Sequence, residues 1–199
     1  MRELIINDEN LKDEETDGIV TRVKAFIINS ENKVLIARSN GGCQLPGGHV
    51  EKNETYEKAL VREIREEVGI SVKEDEIKEF FKIRRYMTNY FNTSKNMISD
   101  VIYFVINTDE KPNKKNTHYT SLEKEYQFHI ESVNFKYLAS YVNGVVKKDG
   151  KQINRIIADE LLFAYEELKR TKEFEDLLNW IILASLAVKL REAYFVLNA

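Results

Sequence analysis

With one cysteine in 199 residues, Cys43 has no partner inside the chain, so an intramolecular disulfide and a multi-cysteine metal cluster are both excluded. Two prolines and eight glycines are too few for a collagen-like, linker-like or low-complexity chain. Neither sign of charge dominates. Thirty Lys plus Arg stand against 33 Asp plus Glu, a net charge of −3, which excludes attraction to nucleic acid by bulk charge. Only three histidines are present, His49, His118 and His129, and they lie too far apart for zinc-type spacing. A bound metal would therefore need carboxylate ligands. The longest apolar run without a charge, 177–188, falls short of the roughly 20 residues that span a bilayer and fits a buried helix instead. Near the start, the short apolar run 4–6 is followed by acidic residues, the wrong order for a signal peptide. The expectation is a cytoplasmic protein with no membrane contact.

What is present suits a folded domain, with 43% hydrophobic and 32% charged residues. Half of the glycines fall in one octet, Gly41-Gly42-Cys43-Gln44-Leu45-Pro46-Gly47-Gly48, which reads as a loop. Before it, alternation predicts strands over 21–29 and 33–38. After it, Leu60, Val61, Ile64 and Val68 form one stripe of a helix over 55–68, closed by Gly69. Strand-like runs follow at 77–87, 97–107 and 133–138, with a polar loop over 108–121. Helical spacing then covers 153–170 and 173–195. Interleaved strands and helices place the chain in the α/β (α+β) class.

The helix over 55–68 carries Glu63, Glu66 and Glu67, which at i, i+3 and i+4 share one face. Read alone, they form a solvated acidic face, and replacing any one would leave folding nearly unchanged. Read with its flanks, the segment has a definite pattern. From Gly48 it runs five residues to Glu54, seven more to Arg62-Glu63-Ile64, one to Glu66-Glu67, and one to Gly69-Ile70. That pattern resembles the complete signature box of the Nudix hydrolases. Seven positions demand one residue type, so with each type at roughly 6–7% of composition a chance match is below about 10⁻⁸ per starting position.

The resemblance implies an α/β/α sandwich with a mixed sheet, spanning residues 1–172 with its core at about 20–171. Residues 173–199 form a helical extension that packs on the domain or at a homodimer interface. It implies hydrolysis of a phosphoanhydride bond in a nucleoside diphosphate linked to another moiety, with Mg²⁺ or Mn²⁺ as cofactor. Nucleic acid is not an expected partner. Glu66, Glu67 and the Gly47 carbonyl become metal ligands, and Glu63 either a ligand or the base. Gly48, Glu54 and Arg62 support the loop and helix. The physical requirements agree, because phosphoryl transfer needs charge neutralised and water delivered in line, and a hard cation held by carboxylates does both.

Outside the box, a further acidic ligand is sought among Glu123, Glu125 and Glu131, with Glu125 or Glu131 preferred and 135–138 read as part of a late aromatic strand. Arg38, Arg84, Arg85 and Tyr86 are candidate substrate contacts, or else strand residues facing water. A catalytically silent module of the same fold is the alternative reading. It is expected to lack one of the box glutamates, and none is missing here.

Overall fold

The computed structural model describes the backbone of residues 2–197 and the side chains of residues 2–187. Seven strands form one mixed sheet. They are β1 (Arg2–Ile6), β2 (Gly18–Ile28), β3 (Lys33–Ser39), β4 (Gly42–Gln44), β5 (Lys78–Met87), β6 (Met97–Asn107) and β7 (His129–Asn134). Their order is β1-β5-β6-β2-β3-β4, with β7 also paired to β3. The β1/β5 and β2/β6 pairs are parallel, and the others are antiparallel.

Strand alternation sorts the apolar residues into two layers, one on each face of the sheet. Val23, Ala25 and Ile27 of β2, with Ile102, Phe104 and Ile106 of β6, lie beneath helix α1 (Tyr56–Glu67). Phe26 and Ile28, with Val101, Tyr103 and Val105, face α3 (Leu138–Asp149), α4 (Gln152–Leu168) and the start of α5 (Lys172–Leu197). The three-layer α/β/α arrangement expected from the resemblance is therefore present. A short helix α2 (Ser121–Glu125) lies before β7. Among the described residues, no helix is long and apolar enough to cross a membrane.

Several expectations need correction. The run 133–138 is not one strand: β7 ends at Asn134, residues 135–137 form a 3₁₀ turn, and Leu138 opens α3. Helix α3 itself goes unpredicted, although Leu138, Val142, Val145 and Val146 are its buried stripe. Inside the glycine octet, Gly42–Gln44 forms strand β4 against β3. The short apolar run near the start is β1, held parallel to β5. Along α5, Leu177 is buried and Phe174, Trp180 and Ile181 pack on the core, while Leu178, Ile182, Leu183 and Leu186 stay exposed. Val188, the end of the apolar run 177–188, lies outside the described side chains.

Candidate active site

The site begins where the chain leaves β4 and crosses back over β2. Residues 46–50 dock on that strand through Ala25 N–H to the Pro46 carbonyl (3.0 Å), Val23 N–H to the Gly48 carbonyl (2.9 Å) and Val50 N–H to the Thr21 carbonyl (3.0 Å). Gly47 has φ +123°, and a Cβ there would meet the Val23 carbonyl oxygen at 2.2 Å, so glycine is required. A Cβ on Gly48 would fall 2.5 Å from the Glu63 carboxylate, so this glycine makes the hollow in which that side chain sits.

Helix α1 starts at Thr55, whose hydroxyl accepts from Lys58 N–H at 3.3 Å. Buried Ala59, Leu60 and Ile64 hold it to the sheet. At its far end Gly69, with φ +75°, donates its N–H to the Ile64 carbonyl at 3.1 Å. The last carbonyls would lack partners, and the polar segment 113–119 supplies them. Asn113 N–H reaches the Val68 carbonyl (2.9 Å), His118 N–H that of Glu66 (2.9 Å) and the Tyr119 hydroxyl that of Glu67 (3.2 Å).

The three glutamates do not share an exposed face. Glu67 is only 5% exposed, and its carboxylate accepts the Gly47 N–H at 2.7 Å. Beside it Lys24, likewise buried, donates to the Gly47 carbonyl. Burial pushes the Glu67 carboxyl above the usual carboxylate range, against the pull of Lys24 and of the Gly47 N–H. Burial also lowers the Lys24 ammonium, with Glu67 opposing. Glu63 is largely buried and raised by that burial, while Arg62 draws it down. Glu66 is 43% exposed at its side chain. It is therefore the one member of the trio that fits the expectation of a solvated carboxylate.

Arg62 ties the box together. It pairs with Glu63 at 2.7 Å and Glu66 at 3.4 Å, with Glu54 through two 3.0 Å hydrogen bonds, and with the His49 carbonyl at 2.9 Å. Among the described residues, no three acidic, histidine or cysteine side chains converge on one point.

The remaining candidates are placed as follows. Glu131 is engaged by Tyr141, His129 and Arg38, and Glu125 lies on α2 beside a surface pocket shared with Arg38 and Lys151. Glu123 accepts from Thr120 as a cap of α2, and of the three late acids it is the charged neighbour of both Lys24 and Glu67. Arg38 donates to the Gly42 carbonyl and the Tyr141 hydroxyl, and Arg84 pairs with Asp100 through two 2.8 Å hydrogen bonds. Arg85 pairs with Glu160 at 2.6 Å, and the Tyr86 hydroxyl donates to Asp13. Sequence reasoning missed Lys24 and Tyr119 altogether. The signal for Lys24 was a charge interrupting the apolar run of a central strand.

The chain is 45% identical over 58 residues to an RNA pyrophosphohydrolase of Halorhodospira halophila, a stretch covering 28% of this chain and 32% of that protein. It is 55% identical over 49 residues to an ADP-ribose pyrophosphatase of Methanocaldococcus jannaschii (22% and 29%) and 44% identical over 52 residues to an 8-oxo-dGTP diphosphatase of Proteus vulgaris (23% and 46%). The matched stretch thus spans about a third of the length of such curated relatives. In structure, a nudix hydrolase family member from Chromobacterium violaceum superposes with a TM-score of 0.51 at 19% identity, covering 88% of this chain and 97% of that one, which shows a common fold. The profile of the NUDIX domain matches residues 19–142, more than half of the chain. That match takes in the glycine turn, the carboxylate helix and the strands that hold them, and the chain belongs to the NUDIX domain family.

Proposed function

We propose that this chain hydrolyses a phosphoanhydride bond in a nucleoside diphosphate linked to another moiety, with water as the nucleophile and Mg²⁺ or Mn²⁺ as cofactor. The observation that carries the reading is the packing of two box glutamates, Glu63 and Glu67, against the Gly47–Gly48 turn beside a buried lysine. The relatives' names agree on a pyrophosphate or diphosphate linkage and differ in what is attached to it.

The donor set fits a hard divalent cation, since the carboxylates of Glu63, Glu66 and Glu67 and the Gly47 carbonyl are oxygen throughout, and the bare Cα of Gly48 leaves Glu63 room. Of the late acids, the charge proximity of Glu123 to Glu67 favours it as an additional ligand over Glu125 and Glu131. When bound, such a cation neutralises charge on phosphoryl oxygens and acidifies water. The chain's own groups do the rest. Lys24 and Arg22 bring positive charge to the phosphates, and Arg62 holds the helix, Glu54 and the turn in register. Glu63, packed at the bare Cα of Gly48, either joins the ligands or takes the proton of the attacking water.

The domain is assigned to 1–172 and the extension to 173–199. The exposed row Leu178, Ile182, Leu183 and Leu186 supports a second copy of the chain as its cover, and a mass of 23.3 kDa in light scattering would refute that pairing. The test of the reaction is phosphate release from a panel of nucleoside diphosphate derivatives, with and without Mg²⁺. Release that depends on the cation supports the reading, whereas a panel without turnover favours the catalytically silent module.

A further inference from the structure

Two Asn–Gly dipeptides stand in the chain, at 40–41 and 143–144, and the fold treats them differently. Ser39 pairs with Gly42, so Asn40 and Gly41 are the whole loop of the β3–β4 hairpin, with φ of +48° and +82°. This is the tight hairpin turn in which both central residues are left-handed. Asn40 is exposed, and among the described residues neither its side-chain nitrogen nor the Gly41 N–H has an acceptor. Asn143 instead lies inside α3. There its side-chain nitrogen donates to the Ala139 carbonyl at 2.9 Å, and the Gly144 N–H belongs to the helix ladder.

Charged groups from the α3–α4 junction close on the exposed turn. The Lys151 ammonium donates to the Asn40 side-chain carbonyl at 2.9 Å and to its main-chain carbonyl at 3.2 Å. A cation on an amide oxygen draws electrons from the carbonyl carbon and stabilises the oxyanion formed when that carbon is attacked. Asp149 supplies a carboxylate. Its Oδ1 lies so close over Gly41 that a Cβ there would meet it at 2.2 Å, which together with φ +82° demands glycine. Asp149 is itself fixed, accepting from the Lys151 N–H at 3.1 Å and from the Asn154 side chain at 2.7 Å. The turn therefore combines an electrophile polarised by lysine, a nucleophile that no side chain shields, and a carboxylate beside it to take a proton.

We propose that Asn40–Gly41 is a self-modifying site, at which the folded chain converts Asn40 to aspartate and isoaspartate with the help of Lys151 and Asp149. The Gly41 nitrogen bonds to the Asn40 Cγ, the Cγ–Nδ2 bond breaks, and ammonia leaves with the proton that Gly41 gives up through Asp149. Water then opens the cyclic imide. Cleavage at Cγ yields aspartate and cleavage at the main-chain carbonyl carbon yields isoaspartate, so a water enters for each ammonia lost. The isoaspartyl form carries the chain through its side chain and lengthens the turn by a backbone atom. A tight turn cannot take up that atom while Ser39 and Gly42 stay paired, so this product frees β4, the strand that leads into the Pro46–Gly47 turn.

The test incubates the full chain under mildly alkaline conditions and reads the mass gain of about 1 Da at each Asn–Gly by peptide mapping, scoring isoaspartate separately. In the native protein Asn40 should convert at least about tenfold faster than Asn143. In concentrated urea, where both are plain Asn–Gly sequences, the two should convert within about twofold of each other. Because the fold assists the step, conversion at Asn40 should be at least as fast in the native protein as in urea. Lys151→Met should slow it at least about threefold, and Lys151→Arg, which keeps a donor, should not. Asp149→Ser, which keeps an acceptor without the charge, should slow it by a similar factor. The isoaspartyl fraction, separated by ion exchange, should melt below the unaged protein. Equal native rates at the two sites, slower conversion of Asn40 in the native protein than in urea, or wild-type rates in both Lys151→Met and Asp149→Ser overturn the site. An isoaspartyl fraction that melts with the unaged protein would overturn the release of β4.

Discussion

Removing the Glu67 charge would leave Lys24 buried beside the Gly47 carbonyl without its nearest counter-charge. Glu66, half exposed and held by a 3.4 Å contact to Arg62, has no such dependant. The two variants should therefore part company in folding. Glu67→Gln is expected to cost about 2 kcal/mol at pH 7, and Glu66→Gln no more than about 0.5 kcal/mol, read from urea midpoints. The Glu67→Gln deficit should shrink as pH rises, because a buried lysine of lowered pKa sheds its proton more readily. Equal midpoints for the two variants would mean that the Glu67 carboxylate does not offset the buried Lys24 charge in solution. At Gly47, alanine adds a Cβ 2.2 Å from the Val23 carbonyl at φ +123°. Gly47→Ala should destabilise by about 3 kcal/mol and disrupt the turn. Wild-type stability in that variant would show that the turn relaxes freely.

Strands β5 and β6 are clamped by charge as well as by their hydrogen-bond ladder. Burial alone would raise the Asp100 carboxyl, but the Arg84 and Lys82 contacts outweigh it and hold the group below its ordinary value. A carboxylate depressed in the folded state contributes stability above its unfolded pKa of about 3.9 and loses it as pH falls through the folded one. Asp100→Asn should therefore cost about 2 kcal/mol near pH 7 and distinctly less near pH 2, below the unfolded value. A deficit of equal size at both pH values would assign the effect to packing. The same scale shows which elements could be read from the sequence. Helix α1 was legible because its cap Thr55, its apolar stripe and its closing Gly69 are all local signals. Strand β1 was not, since five residues become a strand only through Arg2–Ile6 meeting Phe81–Arg85 far along the chain. Helix α3 was obscured by β-branched valines and Gly144 within it. Strand β4 was hidden because Gly42 and its neighbours carry turn chemistry while pairing with 37–39.

Across the whole molecule, α5 is more than an appendage to its start. Leu177 is fully buried and the Phe174 ring stacks on Phe135 at 5.4 Å, so the helix closes the layer that α3 and α4 build. Ending the chain at Thr171 should lower stability by about 3 kcal/mol or more, visible as a lower melting temperature. An unchanged melting temperature would make the extension dispensable to the fold. Of the site, the box pattern located the glutamates and the turn. It did not foresee that Glu63 and Glu67 are turned inward, because burial depends on Lys24 and the 113–119 segment, which lie outside the box. The central claim, that these inward glutamates are the hydrolytic centre, meets its most direct test in one rate. With a diphosphate substrate that the wild type cleaves in Mg²⁺, and with folding of the variant verified by circular dichroism, phosphate release by Glu67→Gln should fall at least about 100-fold. A folded Glu67→Gln protein that releases phosphate at the wild-type rate would contradict the account.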